Sequence, residues 1–137
     1  MPVLGVAISG NYAYLANGTN GLQVVDVADP TNPQRVGGCD TSATAQAIAL
    51  SDHHAYVAVG TNGLQVVDIS DPAQPQPVGA YVMGGTAQAV TISGHCAYVA
   101  LGTNGLEVID VINPVQPQWA GTFSTAGVAQ SVAVSGH

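Results

Sequence analysis

Histidine is the side chain best suited to chemistry near neutral pH, and three of the four histidines in this sequence are evenly spaced. His53, His95 and His137 stand 42 residues apart, with Asn11 at the same place one period earlier and His54 following His53. Such a set could ligate a metal, but zinc needs its ligands about 2 Å from one atom. Equivalent turns on packed sheets lie ~10 Å apart, so the position reads as a turn that accepts Asn or His. Asp26, Asp68 and Asp110 recur with the same period. Three aligned carboxylates could hold calcium, yet an aspartate leading into an Asp-Pro or Asn-Pro turn ordinarily caps backbone amides. The following positions, Asp29, Asp71 and Asn113, differ in charge, which argues against a strict ion requirement. Gln46, Gln88 and Gln130 form a third set, able to hold water, a small polar ligand or neighbouring backbone groups. No serine has His and Asp partners at motif spacing. No metal, cofactor or catalytic residue is expected from these patterns.

The period is carried by every element that would position these residues. Gly-Thr-Asn-Gly-Leu occurs at Gly18–Leu22, Gly60–Leu64 and Gly102–Leu106, with Ala13-Tyr14, Ala55-Tyr56 and Ala97-Tyr98 in step before it. A fixed period of this length marks a repeat architecture. In the middle copy, 45–51, 54–59, 64–69 and 76–81 are short runs rich in Val, Ile, Ala and Tyr, separated by Ser51-Asp52-His53, Gly60-Thr-Asn-Gly63 and Asp71-Pro72. These are strands bounded by turns, and Asn-Gly predicts the positive φ of a tight hairpin. No stretch carries helical periodicity, so the class is all-β. The two middle strands are apolar on both faces apart from Gln65 and Asp68. Each four-stranded sheet must therefore be covered on both sides. Repetition every ~40–45 residues then describes a β-propeller. The first strand of each copy (Ala45, Ala47, Ala49; Ala87, Ala89, Thr91) is small enough for the crowded place beside a central channel.

Composition narrows the partners. The chain has 137 residues, 47% of them hydrophobic, enough to build a core. It has one Lys or Arg (Arg35), eight Asp and Glu and a formal net charge of −7. Nucleic acid and anionic membrane surfaces are recognised by clustered basic residues, so both are excluded as expected partners. The Gly-Thr-Asn-Gly turns lack the lysine and following helix of a phosphate loop. Cys39 and Cys96 occupy different repeat positions and read as free thiols. No signal peptide or anchor is read at the start, and the compartment is left open.

The runs Tyr12-Ala-Tyr-Leu-Ala16, Gly21-Leu-Gln-Val-Val-Asp-Val27 and Asp29-Pro30, with their later copies, resemble the LVIVD-repeat propellers of bacteria and archaea. The resemblance covers essentially the whole chain. It implies a propeller fold, a secreted or cell-surface setting for full-length relatives, and no assigned reaction.

The copies run over approximately 3–44, 45–86 and 87–128, and residues 129–135 repeat the first strand once more. The expected architecture is one domain over 1–137. It is an arc of three four-stranded antiparallel blades plus one extra inner strand, with the ring closed by oligomerisation. A propeller ordinarily needs at least four blades, and an arc of three exposes two apolar faces. The expected function is a non-enzymatic scaffold or binding module whose partner is itself: two chains would make six blades, three chains nine. Its loop face could also carry a protein or small-ligand partner. The alternative is an enzyme, or a metal- or small-ligand-binding propeller, with its site at the channel mouth. The surplus strand suggests a clasp between chains of domain-swap type.

Overall fold

A computed structural model of the chain describes residues 3–83, 85–124, 129 and 131–134. Every regular element among them is a strand. The first blade holds β1 (Gly5–Ser9), β2 (Tyr12–Ala16), β3 (Leu22–Asp26) and β4 (Gln34–Cys39). The second holds β5 (Ala47–Ser51), β6 (His54–Ala58), β7 (Leu64–Asp68) and β8 (Gln76–Tyr81). The third holds β9 (Ala89–Ser93), β10 (Cys96–Ala100), β11 (Leu106–Asp110) and β12 (Gln118–Phe123). Each blade is an antiparallel meander in chain order. The inner strand β5 lies against both β1 and β9, as the small side chains of these strands allow.

The side-chain period of two divides each blade between two neighbours. From the second blade, Tyr56, Ala58, Leu64 and Val66 point forward into a core shared with Val90, Val99, Ile109 and Val111 of the third. Ile48, Val57, Val67 and Ile69 point backward against Tyr14, Ala16, Leu22 and Val24 of the first. The alternation explains why β6 and β7 are apolar on both faces apart from His54, Gln65 and Asp68: each face packs against a neighbouring blade.

Backbone hydrogen bonds also join the blades. Gly18 and Ala45 each donate to the other's carbonyl, at 3.1 and 3.0 Å, and Gly60 forms the same kind of bridge with Ala87. A third bridge joins Gly102 to Ala129 at 2.9 and 2.8 Å. The extra inner strand expected over 129–135 is present as this first contact, because residues 131–134 enter no ladder. A strand needs a neighbour to pair with, and the described residues supply no fourth sheet beside them. Residues 130 and 135 of that copy lie outside the described residues.

The hairpin between the two middle strands differs from the expected tight Asn-Gly turn. Positive φ falls on Gly60 (55°) and Gly63 (84°), not on Asn62, and the loop closes through Val59 N–H to the Gly63 carbonyl. Asn62 is engaged elsewhere, its side-chain amide donating to the carbonyl of Ser42 in the linker from the first blade at 3.0 Å. The turn thus holds its own hairpin and the preceding linker together. Gly63 also passes so near the Tyr81 carbonyl that a Cβ there would collide with it.

The outer strands carry a second close approach. The outer pair of each blade has a bulge, between Val24 and Val25, Val66 and Val67, and Val108 and Ile109. Just past it, Gly37 lies under the Pro72 carbonyl of the second blade, and Gly79 under the Pro114 carbonyl of the third. A Cβ at either would strike that oxygen. Gly121, at the same place in the third blade, has no heavy atom within 4 Å of where a Cβ would stand.

Candidate functional site

Antiparallel order sends successive turns to opposite ends of each blade. The histidine turns and the Asp-Pro loops share one end, and the Gly-Thr-Asn-Gly turns and inter-blade linkers share the other. His53 and His95 are exposed at the first end, and each gives a structural service through its backbone. The His53 carbonyl accepts the Ile69 N–H at 2.8 Å, and the His95 carbonyl accepts that of Val111 at 2.8 Å. Asn11 does the same for Val27 at 2.8 Å. A position used through its carbonyl tolerates either side chain, which accounts for the Asn and His found there.

His53, His54 and His95 line one cavity of about 420 Å³ between the second and third blades, with Tyr56 on its wall and Val111, Ile112 and Pro114 beneath. The His54 ring is 6.4 Å from that of Tyr56. The cavity breaks the repeat, because Tyr12 occupies the place of His54 in the first blade. Its walls come from one blade's inner turn and the next blade's outer loop, a combination that spacing within one repeat does not reveal. Among the described residues no group of three or more His, Cys, Asp or Glu is placed to hold a metal ion. His137 lies outside the described residues.

The aspartates cap their own turns. Asp26, Asp68 and Asp110 accept the N–H of Ala28, Ser70 and Ile112 at 2.8–2.9 Å, and Asp68 also accepts the Ser70 hydroxyl at 2.7 Å. Asp29, Asp71 and Asn113 repeat the device at Thr31, Ala73 and Val115. The hydrogen bonds from Ser70 hold the Asp68 carboxyl below its usual range, with the nearby His54 and His53 adding to the effect. Oxygens committed to amides of their own loop are oriented inward on it, which is the structural role.

At the other end Gln46 and Gln88 open their strands half-buried, their N–H groups donating to Ala58 and Ala100 at 2.8 and 2.9 Å. Gln88 lines an open cavity of about 410 Å³ with Thr86, Thr103 and Asn104. Gln130 lies outside the described residues, and Leu4 holds this place in the first blade. Cys39 and Cys96 are both free thiols, and burial raises the pKa of Cys39, with Asp40 adding to it.

A second repeated position proves more telling than the predicted ones. Gln23, Gln65 and Glu107 follow the equal-length hairpins of the three blades. Gln65 is buried and its Oε1 accepts the Ser42 N–H across the blade junction at 3.0 Å. Glu107, 8% exposed, holds the same place at the next junction, and desolvation raises its pKa. The folded chain therefore keeps this proton to a higher pH than the unfolded chain does. Stability falls as pH rises from the ordinary carboxylate range through the raised value. Glu107→Gln is expected to lift the urea midpoint above that window and to leave it unchanged below it. Paired titrations of the two proteins between acid and neutral pH check the sign. Gln23, on the open face of the first blade, instead accepts from Arg35 and donates to the Asn20 carbonyl.

Comparisons agree with this architecture. The computationally designed Ika8 protein superposes with a TM-score of 0.77 at 12% identity, over 98% of this chain and 40% of that one. The computationally designed Ika4 protein gives 0.80 at 12% identity, over 98% of this chain and 81% of that one. A structural genomics protein of unknown function from Bacteroides thetaiotaomicron VPI-5482 gives 0.66 at 13% identity, over 92% of this chain and 33% of that one. At such identities the likeness is one of fold, and this chain spans well under half of the first and third of these proteins. No curated protein matches the sequence. The LVIVD repeat model matches three times, at residues 3–41, 43–82 and 84–125. Three consecutive matches over nearly the whole length, on three sheets of one design, make this chain a member of the LVIVD-repeat family.

Proposed function

We propose that the chain is a non-enzymatic scaffold that closes a propeller ring with copies of itself, two chains giving six blades or three giving nine. The observation that carries this reading is Gly121. Its counterparts Gly37 and Gly79 lack a side chain because the next blade's proline carbonyl lies against them. Gly121 keeps the glycine with nothing among the described residues to require it, and the Asp29-Pro30 turn of a second copy has the form that would fill the space. The two open faces support the same reading. Tyr98, Ala100, Leu106 and Val108 repeat the forward face of the inner junctions, and Val6, Leu15, Val25 and Val27 repeat the backward one. Val6 is 59% exposed, whereas Ile48 and Val90 at its place are 9% and 8% exposed. An apolar face of this kind marks an association surface, and here each half has its complement at the other end of the same chain.

The test is the solution mass of the 137-residue chain by light scattering behind a sizing column. A mass of two or three chains is the expected result. A single-chain mass at concentrations up to ~100 µM, which leaves room for complexes of only weak transient strength, would overturn the reading.

A further inference from the structure

We infer that the inner strand of each first blade in the ring comes from the preceding copy, with Ala129 taking the place of Val3 and residues 131–134 that of residues 5–8 against β2. This rests on the self-assembly proposed above and concerns how the junction is sealed. Each inner junction begins with a bridge between a hairpin glycine and an alanine, Gly18 with Ala45 and Gly60 with Ala87, and Ala129 already makes it with Gly102. The residue of a second copy that would otherwise stand there is Val3. One glycine can hold one partner, so Val3 and Ala129 compete for a single place.

Size decides the competition. Ala45 and Ala87 are 0% exposed, so the bridge position is enclosed and has been met with the smallest side chain at both inner junctions. Ala129 keeps that residue type, whereas Val3 brings two further carbons into a filled site, and overpacking of this kind is destabilising. The following residues favour the same strand, since 131–134 (Ser-Val-Ala-Val) alternate as β1 does. They can take its ladder in the same register, residue 132 opposite Leu15 and 134 opposite Ala13, as Val6 and Ile8 now stand. β1 itself is covered on one side only, and Ile8 is 62% exposed. Exchange therefore gives up little buried contact, and its one tight point is Ser131 in the place of Gly5, where a Cβ stands 3.1 Å from the Ala47 Cα.

Two truncations of the 137-residue chain test the inference, with the mass read by light scattering. Removal of residues 1–9 is expected to leave the multimer intact, and removal of residues 127–137 to weaken it at least tenfold. The reverse pattern overturns the clasp while leaving self-assembly standing. A full-length chain that is itself monomeric overturns both. Because either truncation can impair folding, a second experiment places Leu15→Cys and Val132→Cys in a Cys39→Ser, Cys96→Ser background. Covalently linked chains on a non-reducing gel are expected after mild oxidation, and a gel of single chains overturns the clasp.

Discussion

Gly121→Val is expected to leave single chains folded and to weaken their joining. A Cβ at this position meets no heavy atom within 4 Å in its own chain, and valine suits a strand such as β12. At a closed junction it would meet the proline carbonyl of the next blade, as a Cβ at Gly37 or Gly79 would. Overpacking of this kind costs about 1–3 kcal/mol, which lowers the association constant roughly 5- to 150-fold. Light scattering reads the loss and circular dichroism checks that the sheet content is unchanged. Gly79→Val supplies the contrast: the same substitution at an inner junction should lower the unfolding midpoint of the chain itself. If Gly121→Val assembled as well as the parent protein, the third blade would not meet a copy of the first.

Truncation of one leucine should have three different costs at its three copies. Leu22 and Leu64 are fully buried, each at the start of a third strand and pointing into an inner junction. Leu64→Ala is expected to destabilise the chain by about 2–5 kcal/mol, the range for a buried leucine that leaves a cavity. Leu22→Ala belongs in the same range, at its lower end, because the first blade has only one covered face to lose. Leu106 is half-buried on the open forward face, and Leu106→Ala should cost a single chain well under half as much. In the assembled ring that difference should vanish, since Leu106 would then be covered as Leu64 is. Urea denaturation at two protein concentrations, one below and one above the assembly midpoint, measures both conditions. Equal costs for Leu64→Ala and Leu106→Ala in single chains would mean that the third blade is packed without a partner.

The fold was legible because the sequence states it repeatedly. Spacing marked three equivalent copies, and the largely apolar β6 and β7, apolar on both faces, required cover on both sides, which leads to radial packing. The aspartate caps were legible for the same reason, since an Asx residue before proline has a local partner whatever the tertiary context. The turn at Gly60–Gly63 was harder to read. Asn-Gly suggests a two-residue hairpin, but Asn62 is held by Ser42, twenty residues away in the linker, and no local rule carries such a demand. The histidine cavity was illegible for a related reason. His53 and His95 belong to different repeats, and Ile112 and Pro114 reach them from a third segment. Gly121 shows the converse case: nothing near it in its own chain calls for a glycine, so only comparison with Gly37 and Gly79 draws notice to it.

The bridges between hairpin glycine and inner alanine also bear on how such chains change length over generations. At each described junction a blade opens on a hydrogen-bonded pair contributed half by the copy before it. Unequal recombination between near-identical copies adds or removes one whole period, and the new neighbours meet with the same glycine and the same alanine. No ladder shifts register and no core loses its complement. Copy number can therefore drift in the gene without a folding penalty at the point of fusion. On the proposed ring closure, what selection would then see is whether the total number of blades, summed over chains, divides evenly into a closed circle.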